Sequence, residues 1–298
     1  MNHDKIRNAI TKDSSDDFDA LYRLLYARGF LVQKDAKGIF IGESENVSGY
    51  NRPSSNRADC FSWQDLLGNW RETLQPMNGM IHVEGDRITA CTEQFSIQQI
   101  YNDLFTKEIH LVDDTVITSD SFLRYFQMPQ PAILKPMVLD PFVALYVNVM
   151  NEIEIETSRS CQGKVGHSGD PFYIDFANCY FVAFHNALWE TEAFWSIDTI
   201  LRDINIKWRT PNNCKLGSFF VRASIQLTDE TVDDIYVNII RAAQYLYENR
   251  DGIQKLRLSV ANDKELRKYD EESTNEGQYD TKNLTKIMVE LINKYSSK

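Results

Sequence analysis

The potentially reactive side chains of this chain are concentrated in one short segment, 157–169. Alternating apolar and polar residues flank it on both sides, at 152–156 and at 172–176. This pattern predicts two strands joined by a loop that faces a ligand. The candidate ligand-binding residues of the loop are Thr157, Ser160, Cys161, Gly163, Lys164, Gly166 and His167.

Three interpretations of this loop are compatible with its residues. Cys161 could be a nucleophile if His167 lay within hydrogen-bond reach, because the thiolate is the reactive species. Gly163 and Gly166 would let backbone amides approach an anion, and Lys164 would add positive charge there. The loop lacks the order G-x-x-x-x-G-K-[ST] of a phosphate-binding P-loop. In the third interpretation the loop is a structural connection in which Cys161 packs as a small apolar residue.

The other groupings of histidine and acidic residues do not have the spacing of metal ligands. His185 lies five and seven residues before Glu190 and Glu192, whereas ligands on one helix face are expected three or four residues apart. The alternating glutamates of 152–156 could hold a divalent cation from one side of a strand, but the pattern favours a solvated face. We therefore expect no metal site and no cofactor.

Charge and composition favour a cytoplasmic protein that binds other proteins. The chain has 32 basic and 43 acidic residues, a formal charge of -11, which repels nucleic-acid phosphates. An acidic surface can instead bind a basic surface on a protein partner. The five cysteines are scattered without C-x-x-C spacing, which indicates reduced thiols. No apolar run approaches the roughly 20 residues of a membrane span, and the first residues lack the apolar core of a signal peptide.

The periodicity of apolar residues predicts an α+β fold in two parts. A mixed α+β unit is expected over 1–127, a proline-rich linker over 128–139, and a sandwich-like α/β unit with helices packed on a small sheet over 140–298. Helices are predicted near 18–26, 61–74, 96–105, 140–149, 178–203, 228–247 and 284–292. Two hairpins are predicted, one from two short strands within 31–41 and one from strands near 80–83 and 87–91. Further strands are predicted near 109–117, 152–156, 172–176, 204–209 and 218–226. The apolar stripe of the last helix must be buried, either in its own domain or against a second subunit.

Aromatic residues are abundant, with 5 Trp, 14 Tyr and 16 Phe. Tyr50, Trp63, Trp70 and Tyr125 lie near predicted loops or short elements. Because Trp and Tyr dominate the binding energy of many protein interfaces, these four residues are candidate partner contacts.

Two resemblances extend these expectations. The stretch Thr157 to Gly163, with Ser160 and Cys161 between them, resembles the S-C-x-G loop of small α/β domains, including the wybutosine-synthesis methyltransferase-type family and uncharacterised phage proteins, and implies a ligand pocket over the loop. In size, acidity and lack of enzyme motifs the chain resembles phage anti-defence proteins such as those directed against the Gabija system.

The sequence thus favours a non-enzymatic, homo-oligomeric inhibitor that covers a basic nucleic-acid-processing complex without contacting nucleic acid or membrane itself. The alternative is a small-molecule or nucleotide-binding enzyme that uses the Ser160–Gly169 loop, with Cys161 and His167 as its catalytic residues.

Overall fold

The computed structural model confirms an α+β fold. It describes residues 1–40, 81–84, 87–91, 96–106, 123, 127, 139–165, 171–191, 206–215 and 221–296. Its helices are α1 (His3–Thr11), α2 (Asp17–Ala27), α3 (Ile97–Phe105), α4 (Ala144–Glu152), α5 (Cys179–Glu190), α6 (Val232–Glu248), α7 (Arg250–Ala261), α8 (Lys264–Glu276) and α9 (Thr281–Ser296). Its strands are β1 (Gln33–Asp35), β2 (Gly38–Phe40), β3 (Ile81–Glu84), β4 (Arg87–Cys91), β5 (Thr157–Cys161), β6 (Phe172–Phe176), β7 (Asn213–Lys215), β8 (Val221–Ile225) and β9 (Gln278–Asp280).

The described strands form three small sheets with antiparallel pairing throughout. The first has the order β1-β2-β4-β3 and contains both hairpins that the sequence predicts in the first hundred residues. The second has the order β5-β6-β8, and the third pairs β7 with β9. The strand predicted at 204–209 is represented by one isolated bridge, between Arg209 and Ser224.

The chain divides into two compact units, and each unit is built from three segments of the sequence. Unit 1 comprises Met1–Asp113, Ile133–Asn148 and Glu230–Ile240, and unit 2 comprises Asp114–Ala132, Val149–Asp229 and Arg241–Lys298. The division falls within helices α4 and α6. The linear boundaries at 1–127, 128–139 and 140–298 stay predictions, because 128–138 lie outside the described residues.

Unit 1 is organised around the buried side chain of Arg28, which follows α2. Its guanidinium donates hydrogen bonds to the carbonyl oxygens of Leu104 (2.7 Å) and Leu139 (2.9 Å). Burial lowers the pKa of Arg28 to about 9, so the side chain is still charged at neutral pH. The next residue, Gly29, has a φ of 99°, and a Cβ there would lie 3.0 Å from the backbone of Ala144. A side chain at position 29 would therefore displace the start of α4.

Unit 2 has helix α5 at its centre. Asn178 caps the helix by accepting hydrogen bonds from the N–H groups of Tyr180 and Phe181. Residues 179–188 are all buried, because α5 packs against β6 and β8 and also against α9. The apolar stripe of α9, Leu284, Met288, Leu291 and Ile292, is buried within this unit. It is thus part of the core.

The strand predicted at 152–156 is wrong. Glu152 is the last residue of α4, Glu154 has a φ of 63°, and β5 begins only at Thr157. The carboxylate of Glu154 pairs with the buried guanidinium of Arg257, and the carbonyl of Glu152 accepts a 2.8 Å hydrogen bond from Gln254. Contacts with α7 therefore fix a turn here, despite the alternating sequence.

The charged and polar segment that follows Asp263 forms helix α8. The carboxylate of Asp263 links the start of this helix to the end of α9. Asp263 caps α8 by accepting from the N–H of Glu265 at 2.8 Å, and it also binds Lys294 and the hydroxyl of Tyr295, each at 2.7 Å. Burial acts to raise the pKa of this carboxyl, but the three donors outweigh burial and lower it to about 2.

This depressed pKa predicts acid sensitivity of unit 2. A carboxyl with a lowered native pKa contributes stability that is complete above its unfolded pKa of about 4 and is lost as the pH falls towards 2. Between pH 5 and pH 2, the wild type should lose about 2 kcal/mol more of its free energy of unfolding than Asp263→Asn does. Urea unfolding of both proteins measures this difference. Equal losses in the two proteins would contradict the assignment.

Candidate functional site

A bulge in β5 determines which side chains of the candidate loop share a face. The register shifts between Thr157 and Arg159, so that Arg159 pairs with Asp175, Ser160 with Ile174 and Cys161 with Tyr173. Directly paired residues lie on the same face of an antiparallel sheet. The bulge therefore places Ser160 on the inner face and brings Arg159 and Cys161 onto the opposite face, which we call the outer face.

The outer face of the β5-β6-β8 sheet is organised by an ion pair between its central strand and β8. The guanidinium of Arg222 binds both carboxylate oxygens of Asp175, at 2.7 and 2.9 Å. The Asp175 side chain is 0% exposed, whereas that of Arg222 is 41% exposed. The hydrogen bonds to Asp175 raise the pKa of Arg222. Two-point binding of this kind fixes the plane of the guanidinium as well as its position.

Arg222 also lies over an aromatic ring. Its guanidinium carbon is 3.5 Å from the centre of the Tyr173 ring, which is a cation–π contact. Partial burial raises the pKa of the Tyr173 hydroxyl. The bridge between Arg209 and Ser224 extends the same face beyond β8. The outer face therefore has the stacked pair of Arg222 and Tyr173 at its centre. Arg159 lies on one side of this pair and Arg209 on the other.

Cys161 lies at the edge of this face, where its sulfur accepts a hydrogen bond. The N–H of Gly163 is 3.3 Å from Sγ, and Gly163 has the left-handed φ of 75° that makes this turn possible. The amide of Gly163, which the sequence offers to an anion, is thus directed at the sulfur. A backbone donor in this position favours negative charge on sulfur.

The structure separates the residues that the sequence groups in this loop. Thr157 is buried and exchanges hydrogen bonds of 3.0 Å with the side chain of Asn151, which gives it a structural role. Ser160 lies on the face opposite to Cys161, and Lys164 is exposed. Gly166 and His167 lie outside the described residues, and so do the candidate partner contacts Tyr50, Trp63, Trp70 and Tyr125.

His185 is a core residue in this structure. Its ring is fully buried, 4.7 Å from Phe176 and 4.6 Å from Trp208 between ring centres, and Nδ1 lies 3.0 Å from the side-chain oxygen of Asn186. Burial lowers the pKa of His185 to about 3, so the imidazole is neutral. Over the described ranges, no group of three or more His, Cys, Asp or Glu is placed to hold a metal ion.

Comparisons with known proteins do not assign the chain to a family. No protein-family model matches it, and neither do curated proteins or solved structures. Among the described helices, none is long and apolar enough to cross a membrane.

Sequence reasoning missed the residues that form the outer face: Tyr173, Asp175, Arg209 and Arg222. Alternation in 172–176 and 221–225 was the available signal, since it places Tyr173 with Asp175, and Arg222 with Ser224, opposite the buried apolar residues. Strands β6 and β8 pair although they are more than 40 residues apart in the sequence, so the sequence did not show that Asp175 and Arg222 are in contact.

The accessible sulfur predicts selective alkylation. Cys161 is half-exposed, whereas Cys179 and Cys214 are buried, so iodoacetamide should modify Cys161 at least ten times faster than either of them. Peptide mapping by mass spectrometry measures the three rates under native conditions, and Cys214→Ser is the matched control that should leave the Cys161 rate unchanged. Faster modification of Cys179 or Cys214 than of Cys161 would contradict this arrangement.

Proposed function

We propose that the protein is a non-enzymatic, cytoplasmic binding protein whose acidic surface covers a basic surface on a protein partner. Such a protein would act as an oligomeric inhibitor of the phage anti-defence kind and block a complex that processes nucleic acid. One observation carries the proposal: the negative charge is distributed unevenly. Unit 1 has 21 acidic and 13 basic residues, whereas unit 2 has 22 and 19.

The exposed carboxylates of unit 1 include those at two places along the chain. Asp13, Asp16 and Asp17 are exposed in the connection from α1 to α2 and in the first turn of α2. Asp16 caps α2 and Asp17 favours its positive end, but Asp13 precedes the cap and has no such role in the helix. The second place is the start of α6, where Lys5 lies 2.8 Å from Asp234. The carboxylates of Asp13, Asp16 and Asp17 add negative charge to the surface of unit 1, whereas Lys5 offsets the charge of Asp234.

Acidic surfaces of this kind act mainly on encounter and on partner choice. Complementary charge raises the association rate and disfavours partners of the wrong sign, while the rim charges add little to the final affinity. Binding through unit 1 should therefore weaken as salt increases.

Charge reversal in unit 1 tests the proposal. Asp13→Lys/Asp17→Lys should reduce capture of basic host proteins by at least about tenfold, because two lysines at these exposed positions would repel the cations of a basic partner. Quantitative mass spectrometry of proteins captured from host extract measures the loss.

The matched control is Glu271→Lys/Glu272→Lys, which makes the same charge change at exposed positions of α8 in unit 2. This control should capture the same proteins as the wild type. Equal capture by all three proteins, or capture that is independent of unit 1, would refute the proposal. Circular dichroism should show that both variants stay folded.

A second candidate function is favoured by the environment of Cys161. The N–H of Gly163 lies 3.3 Å from the Cys161 sulfur, where it would stabilise a thiolate, as a nucleophile requires. A small-molecule or nucleotide-binding enzyme that uses the Ser160–Gly169 loop should lose turnover in Cys161→Ser. Turnover that survives this change would remove Cys161 as its nucleophile.

A further inference from the structure

The outer face of the β5-β6-β8 sheet is cationic in an acidic protein. Arg159 and Arg209 are exposed on its two sides and Arg222 lies between them. Among the described residues of these strands, the carboxylate on this face is Asp175, which is buried beneath Arg222. The exposed part of the face therefore has a local excess of positive charge, opposite in sign to the whole chain.

The centre of the face offers a flat surface. Arg222 is stacked on Tyr173, and its bond to Asp175 fixes the guanidinium plane, so one face of the guanidinium is covered by the ring. Arginine planes held in this way are stacking surfaces for nucleobases. Asp175 also neutralises much of the charge of Arg222, so this guanidinium serves better as a stacking surface than as an anion site.

The spacing of the cations indicates more than one anionic group. Arg159 lies on β5 and Arg209 pairs with β8, so three strand intervals of about 4.8 Å separate the strands that carry them. A ligand with a single phosphate does not span that width. A flexible chain of nucleotides does, with its phosphates at the edges and a base in the middle.

From these contacts we infer that the outer face binds a short single-stranded segment of nucleic acid. A base stacks on the guanidinium of Arg222, and the phosphates on either side bind Arg159 and Arg209. The inference is independent of the proposed function, because all of these residues lie in unit 2. It also departs from the expectation, based on net charge, that the protein makes no direct contact with nucleic acid.

An acidic peptide is the main competing occupant, and the stack disfavours it. Carboxylates can bind Arg159 and Arg209, but a peptide of glutamates offers no flat group to place over Arg222. The net charge of -11 repels a long polyanion, so the site should favour a short strand and lose affinity steeply with salt.

Fluorescence anisotropy with a labelled oligothymidylate of about six nucleotides tests the inference. Wild-type protein should bind saturably, with a salt slope near -1.4, as expected for about two phosphates on a single strand. Arg159→Ala/Arg209→Ala should weaken binding by at least about tenfold and bring the slope close to zero. Arg222→Lys keeps a positive charge beside Asp175 but removes the planar guanidinium on which a base could stack. This change should weaken binding about fivefold or more, with little change in the salt slope.

Two controls distinguish this site from general charge effects. Lys255→Ala/Lys286→Ala removes two exposed cations elsewhere in unit 2 and should bind like the wild type. Asp13→Lys/Asp17→Lys, which tests the proposed function, should also keep its affinity for the oligonucleotide. An oligoglutamate peptide should compete poorly.

Three outcomes would overturn the inference. They are the absence of saturable binding by folded wild-type protein, an equal loss in the lysine control, and a tighter affinity for oligoglutamate that is unaffected by Arg222→Lys. The last outcome would assign the face to an acidic peptide instead.

Discussion

The structure of the β5-β6-β8 sheet depends on one interaction, the two-point ion pair between Asp175 and Arg222. A carboxylate that is 0% exposed is stable only when it is paired and hydrogen bonded, because removing it from water costs several kcal/mol. Arg222 satisfies both oxygens from the neighbouring strand and is held over Tyr173 as a consequence. The inner face buries Phe172, Ile174 and Phe176 against α5. Burial thus holds one side of the central strand, and a charge pair organises the other.

Much of the fold followed from local patterns. Hairpins at 33–40 and 81–91, the capped helix α3, and the amphipathic helices α2, α6 and α9 lie where periodicity and capping residues predict them. The failures have tertiary causes. Glu152–Glu156 alternates like a strand, yet Arg257 and Gln254 hold it as a turn. The sequence pattern predicts no helix between 247 and 284, yet α7 begins at Arg250, and Gly252 lies within its first turn. Asp263 starts a helix whose surface is polar almost throughout, a pattern that gives little helical signal.

The candidate site was predictable in position but not in composition. The sequence located the turn after β5 from its glycines and Cys161, and the structure places that sulfur on an exposed face. The sequence could not show the bulge that exchanges the sheet faces on which Ser160 and Cys161 lie, because a bulge depends on the pairing with the partner strand. Nor could net charge reveal a cationic face, because a total of -11 averages over the whole chain. The two proposals use different surfaces: acidic groups of unit 1 for a basic protein, and the outer face of unit 2 for nucleic acid.

A double-mutant cycle on Asp175 and Arg222 measures whether this ion pair organises the sheet. Urea unfolding of the wild type, Asp175→Asn, Arg222→Gln and the double variant gives the coupling free energy between the two side chains. We expect a coupling of about 2 kcal/mol, because each single change leaves the other partner in the sheet without its counter-charge. Additive effects, with a coupling close to zero, would show that the pair does not organise the sheet and would contradict the account.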